Sequence, residues 1–385
     1  MAPVLPLWLL ATAVGAALAS SVVGAAAARS PRLLAASFAL LGAAALADLG
    51  AAAWALTAPE PARAVLGLGL PWLHWHLRLD PLAGFFLGVI GLVTAAVALF
   101  GPGYVRAYRH GPSSPAVLGV ATGVFVAAMA LVVLADDAFA FMIAWELMSV
   151  ASYFLVAFEH HEPANRRAAF IYLLMAQLGG VLILLAFGIL VAFGGGFAFD
   201  AMRTANLPPA WAWIAFLLGL AGFGMKAGVV PLHVWLPEAH PVAPSHVSAL
   251  MSGVMLKVAL YGLVRLVFDL LGAPDWGWGV VLLVTGGVTA LYGVLYALMQ
   301  HDLKRLLAYC SVENVGIIVI GLGLAAIFQG SGLPGLGVLG IVAALYHSLN
   351  HALFKSLLFL GAGAIHHRSH ERDLERMGGL LRRMP

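Results

Sequence analysis

The chain has 385 residues, of which 62% are hydrophobic and 10% charged, with a formal net charge of +3. A water-soluble domain carries about 25% charged residues, so this composition excludes one, and the small surplus of positive charge does not mark a nucleic-acid binder. The single cysteine, Cys310, excludes an internal disulfide and a cysteine-ligated metal cluster.

Apolar blocks near the length that crosses a hydrocarbon core predict spans over Val4–Ala25, Leu33–Leu56, Pro81–Phe100, Ala116–Ala135 and Phe139–Phe158. Six more follow over Ala168–Phe193, Trp211–Val230, Val247–Leu270, Val280–Met299, Leu306–Phe328 and Leu336–Ile365. The expected architecture is all-α, a polytopic transmembrane bundle of about eleven spans. No Lys or Arg precedes Arg29, so the first block lacks the basic start of a secretory signal and reads as a retained span. The loop between the second and third spans holds Trp72, His74 and His76 at period two, which predicts a short turn-and-strand segment over Pro71–Asp80.

Loop charge predicts the orientation. Loops after odd-numbered spans, with the C-terminal tail, hold 13 basic residues, among them Arg29, Arg106, Arg109, Arg166, Arg167, Lys304 and Arg305. Loops after even-numbered spans hold Arg63, Arg78 and Arg203. The basic side is the cytoplasmic one, so the N-terminus is expected outside a bacterial-type inner membrane. Asp136 and Asp137 fall in an even loop, where hydration accounts for them.

The seventh span meets Pro231, Pro237, Pro241 and Pro244 shortly after Lys226, with His233, Glu238, His240 and His246 between them. A straight helix cannot continue through those prolines. Irregular backbone at membrane depth survives only against protein or a wet cavity, so this span is expected to break, as transporter helices do near their sites.

Ionisable residues inside the spans carry the chemistry. Glu146 lies mid-way along the fifth span, Lys226 late in the seventh, Lys257 mid-way along the eighth and Glu313 inside the tenth. In the eleventh, His347, His351 and Lys355 recur every fourth residue, on one helix face. A charge at the bilayer centre costs about 2.5–3.5 kcal/mol on insertion scales, so such residues face the bundle interior, paired or hydrated. Desolvation favours release of a buried lysine's proton and a nearby carboxylate favours its return. Glu146 with Lys226 is therefore expected to form a switch, and Lys257, His347, His351 and Lys355 a relay. Histidine suits a relay because its unperturbed pKa lies near neutrality. The bland alternatives are structural ion pairs or snorkelling lysines, a local polar contact of Glu313 with Asn314 or Tyr309, and a metal on His347 and His351, for which no HExxH pattern is present. His366, His367 and His370 flank arginines at the membrane surface and read as a solvated face. No phosphate loop, nucleotide fingerprint or catalytic triad is visible, and no cofactor is expected.

Five stretches carry a resemblance: LRLDPLAGFF (Leu77–Phe86), WELMSVASYFL (Trp145–Leu155), the long run from Gly222 to Lys257, LKRLLAYCSVENVGII (Leu303–Ile318) and HSLNHALFKSLLFLGAG (His347–Gly363). They resemble the antiporter-like membrane subunits of respiratory complex I, membrane-bound hydrogenases and multi-subunit sodium/proton antiporters. The wording SVEN around Glu313 and MSGVMLK ending at Lys257 resembles most the hydrogenase-4 component B and formate hydrogenlyase branch. The resemblance implies that Glu146 and Lys226 are the family's carboxylate–lysine pair, that Lys257 is its central relay position, and that His347, His351 and Lys355 are the polar face beyond it. It also implies inverted repeats: an N-terminal three-helix segment over 1–110, a first repeat over 111–272 and the start of a second over 273–385. The chain stops at MGGLLRRMP (Met377–Pro385), where members continue with another broken helix, so the second repeat is expected to be incomplete.

The function these features imply is a proton-translocating subunit of a hydrogenase-type or complex I-like redox complex, without a redox centre of its own. Its expected partners are other membrane and peripheral subunits, the lipid bilayer and protons or sodium ions, with no nucleic acid. A subunit of a sodium/proton antiporter and a structural membrane anchor are the alternatives.

Overall fold

A computed structural model describes residues 4–28 and 30–384; Arg29, one of the odd-loop cations, lies outside them. Among the described residues, eleven helices are long and apolar enough to cross a membrane. In chain order they are α1 (Val4–Gly24), α2 (Pro31–Thr57), α3 (Pro81–Val105), α4 (Pro115–Leu134), α5 (Ala138–Val156) and α6 (Pro163–Gly194), then α8 (Pro209–Ala227) after a five-residue helix, α7 (Phe199–Arg203). The eighth span is α10 (Ser245–Leu250) and α11 (Leu256–Arg265), each followed by a π-helical turn, and α12 (Trp276–Leu298), α13 (Leu303–Gly330) and α14 (Pro334–Ser369) complete the set. Every predicted span is a helix in the structure.

Local chemistry sets the helix starts. Asp80, Asp137 and Asp302 each accept a hydrogen bond from the amide three residues on, capping α3, α5 and α13. Proline opens α2, α3, α4, α6, α8 and α14, where its missing N–H has no intrahelical partner to lose. Packing between spans uses small residues. A Cβ on Gly279 or Gly286 of α12 would lie 2.5 or 2.7 Å from the amide nitrogens of Ile327 or Ile320, so α12 and α13 meet backbone to backbone.

The seventh span breaks where the prolines fall. It stops at Ala227, with Gly228 in the left-handed region at φ +90°, and resumes as α9 (Leu236–Val242) before α10 begins at Ser245. The eighth span beside it is the centre of the bundle, with no lipid-facing side in its most apolar window.

On the even-loop face the chain forms more than the expected strand. β1 (Ala62–Leu70) and β2 (Leu73–Leu79) make an antiparallel hairpin with an irregular register between Leu66 and Gly69. Gly69 takes φ +107°, a backbone that favours glycine.

Candidate functional site

Lys226 stands at the last full turn of α8, just before the break, with only 3% of its surface exposed. Its ammonium donates to the Tyr172 hydroxyl at 2.7 Å and to Ser149 Oγ at 3.0 Å, and it lies 4.8 Å from the centre of the Tyr172 ring. Those bonds keep a cation buried among helices that otherwise could not hold one. Ser152 closes the group through a short contact with the Tyr172 hydroxyl.

Glu146 does not pair with Lys226 in this arrangement. Its carboxylate accepts from Gln177 Nε2 at 2.8 Å instead, on an outward groove lined by Phe139, Ile143, Gly180 and Leu184. Gly180 makes room for it, because a Cβ there would meet Glu146 Oε1 at 2.5 Å. Ser149, one turn further along α5, faces the lysine in its place.

The second group joins the eighth and eleventh spans. Lys257 Nζ lies 2.6 Å from His351 Nδ1 and donates to the Ser252 carbonyl at 2.7 Å. Both side chains are fully buried. Ser252 belongs to the π-helical turn Met251–Met255, a distortion that often marks functional positions in helices. One hydrogen bond joins the two nitrogens, and the tautomer of the ring decides which of them donates. Around them, His347 Nε2 meets Asn314 Oδ1 at 2.9 Å and Ser252 Oγ meets Ser311 Oγ at 2.8 Å. Lys355 is buried one turn beyond His351, within electrostatic reach of Cys310 and Glu313. Glu313 is half-buried with its backbone against Gly293 of α12; among the described residues its carboxylate has neither Asn314 nor Tyr309 as a hydrogen-bond partner. The structure thus gathers Lys257, His347, His351 and Lys355 into one row and places Lys226 in a separate hydroxyl cage. Among the described residues, no group of three His, Cys, Asp or Glu side chains is arranged to hold a metal ion.

Two features escaped the sequence reading. On the even-loop face, Arg265 grips both oxygens of Asp80 at 2.5 and 2.6 Å and reaches Asp269 at 3.2 Å. Arg203 binds Asp269 at 2.7 Å, Asp200 at 2.5 Å and Asp136 at 3.3 Å, and Arg63 also holds Asp200 at 2.5 Å. Asp136, a member of this network, and Asp137, which caps α5 and accepts from the His76 amide, are therefore buried rather than hydrated loop residues. Burial pushes the Asp136 carboxyl above its ordinary range although Arg203 and Arg78 pull it down. Burial works against the charge of Asp200, but its bonds to Arg63 and Arg203 prevail and hold it below that range. Tyr261, Arg265 and Asp269, 4 apart on the eighth span, are bonded in turn, and Lys257 lies one turn before Tyr261 on the same helix. On the odd-loop face, Lys304 is buried, not solvated, and donates to the Ala243 and Pro241 carbonyls at the end of α9.

The profile described as "NADH:quinone oxidoreductase/Mrp antiporter, TM" matches residues 135–385, well over half of the chain. The chain is 45% identical over 312 residues to hydrogenase-4 component B of Escherichia coli (strain K12), covering 80% of this chain and 46% of that protein. It is 37% identical over 317 residues to formate hydrogenlyase subunit 3 of the same organism, covering 81% and 49%. Its fold superposes on a chain of the membrane-bound sulfane sulfur reductase, an archaeal respiratory membrane complex, with a TM-score of 0.83 at 26% identity, covering 98% of this chain and 60% of that one. The chain spans about half the length of the curated relatives it matches. It belongs to the NADH:quinone oxidoreductase/Mrp antiporter transmembrane family.

Proposed function

We propose, on the premise of that membership, that the chain is the proton-translocating part of a membrane subunit in a hydrogenase-type redox complex. The observation that carries this reading is the hydrogen bond between Lys257 and His351, two proton-exchanging groups fully buried between two spans. An amine and an imidazole held there have no structural need of each other that two apolar side chains would not meet better, whereas a proton passing between them needs both. Lys226 in its cage of Ser149 and Tyr172 is the loading position, and Glu146 the carboxylate that moves between Gln177 and the lysine. Lys355 and His347 extend the row, with Glu313 at its far side. Residues 111–272 would form the first of two inverted repeats and 273–385 the beginning of the second. Electron transfer would take place in partner subunits. The arginine-rich odd-loop face would be cytoplasmic.

The antiporter half of the family description supports a second reading, exchange of sodium for protons without redox chemistry. Replacing Lys226 with Ala in the complete complex separates the two. Under the first reading, proton translocation falls more than electron transfer does. An unchanged proton-to-electron ratio counts against it, and sodium-driven proton flux in vesicles without redox partners favours the second.

A further inference from the structure

We infer that protons reach the Lys257–His351 contact from the odd-loop face through an inlet between α3 and the end of α14, with His246 and His240 as its inner stations. This inference rests on the proton-translocating reading above. A cavity of about 140 Å³ opens on that face, lined by Tyr104, Tyr108, His366, His367 and His370. At about 30 Å³ per liquid water, it has room for several.

Tyr104 leads inward from it. Its hydroxyl lies 3.2 Å from that of Tyr108 and accepts the Ser245 amide at 3.2 Å. Its ring stands edge-on to His246 with centroids 5.6 Å apart. His246 and His240 are both fully buried, and neither ring has a hydrogen-bond partner on either nitrogen among the described residues. A buried polar atom left unpaired costs about 1–3 kcal/mol, and here four ring nitrogens share that condition on one short segment. Apolar packing does not explain it: the rings lie against Phe38 and Phe359, where leucine would fill the space without the cost. Water between them does explain it, since buried polar groups are satisfied by protein or by water.

The order of the stations follows from their surroundings. His246 packs on Tyr104 of the cavity wall, while His240 stacks on Phe359, one turn beyond Lys355 on α14. His240 is thus the station next to the relay and His246 the one next to the surface. Each neutral imidazole accepts a proton on one nitrogen and releases another from the opposite nitrogen, and the ring turns over before the next transfer. Lys304 holds the carbonyls of Pro241 and Ala243 between the two rings, which fixes the irregular backbone that carries them.

The test uses the complete redox complex in proteoliposomes, with electron transfer as the measure of assembly. His246→Ala should lower proton translocation roughly 10-fold or more, the scale of losing a positioned proton carrier, and added imidazole should restore part of it. A packing role would not be rescued by imidazole. Lys257→Ala is the control. If it leaves translocation whole, the proton-translocating reading itself fails. If it abolishes translocation while His246→Ala does nothing, or does harm that imidazole cannot repair, the inlet is wrong and the relay stands. Should His246→Ala not assemble, the surface triple variant His366→Gln, His367→Gln, His370→Gln decides. Slower translocation supports the inlet and an unchanged rate overturns it.

Discussion

Lys257 Nζ and His351 Nδ1 stand 2.6 Å apart although 94 residues separate them in the chain. The eighth span brings the amine and the eleventh the ring, and the Ser252 carbonyl, in the π-helical turn beside Lys257, accepts from the same amine. Two groups joined by a buried hydrogen bond should not behave as independent sites. Lys257→Gln and His351→Gln are each expected to slow proton translocation, and the double variant to be no slower than the worse single one. A double-mutant cycle measures the coupling, expected at about 0.5–3 kcal/mol. Strict additivity would mean that the contact carries nothing.

The cage around Lys226 yields a smaller effect. Tyr172→Phe removes the hydroxyl at 2.7 Å and leaves Ser149 as the remaining partner. Loss of one hydrogen bond of ~0.5–1.5 kcal/mol should slow translocation roughly 2- to 10-fold with assembly intact. The initial rate of proton movement per assembled complex reads this out, and a rate equal to the parent's would remove Tyr172 from the path.

The even-loop network bears on stability. Arg265 and Asp80 are both buried and bonded through two oxygens, and breaking such a pair from one side costs about 3–5 kcal/mol. Arg305 and Glu238 lie 2.9 Å apart but are 42% exposed on each side, which limits that pair to about 0–1 kcal/mol. Thermal unfolding in detergent should therefore fall much further for Arg265→Ala than for Arg305→Ala. Equal shifts would show that the buried network holds nothing together.

Asp200 gives that network a pH dependence. Its partners Arg63 and Arg203 lower its folded pKa below the unfolded value of about 3.9. Its contribution is therefore complete above that value and is lost as pH falls through the lower folded value. The carboxylate is half exposed, so the effect is small. Asp200→Asn should unfold at a lower temperature than the parent near neutral pH, with the gap closing below about pH 4. A gap that widens in acid would reverse the assignment.

The spans were legible because each is a block of apolar residues, and the broken helix because Pro231, Pro237, Pro241 and Pro244 cannot be absorbed by a straight one. His347, His351 and Lys355 were legible as one face because their spacing lies within a single helix. Contacts between helices were not. Asp80 and Arg265 are 185 residues apart, and nothing in either neighbourhood points to the other. The expectation of Glu146 beside Lys226 rested on charge and on the family resemblance; in this arrangement the uncharged hydroxyls of Ser149 and Tyr172 hold the lysine, and Gln177 holds the carboxylate. Lys304 read as a loop cation because the turn that covers it, α9, reaches it from 61 residues away. The strand Ala62–Leu70 went unseen because ARAVLGLGL lacks an alternation of polar and apolar residues, and its pairing with β2 supplies the order instead.

The central claim is that the buried amines and imidazoles carry protons while electrons move elsewhere. Protons moved per electron transferred, measured in proteoliposomes holding the whole complex with Lys257→Gln, tests this most directly. The account predicts a lower ratio than the parent's with electron transfer still running. A ratio equal to the parent's would contradict it.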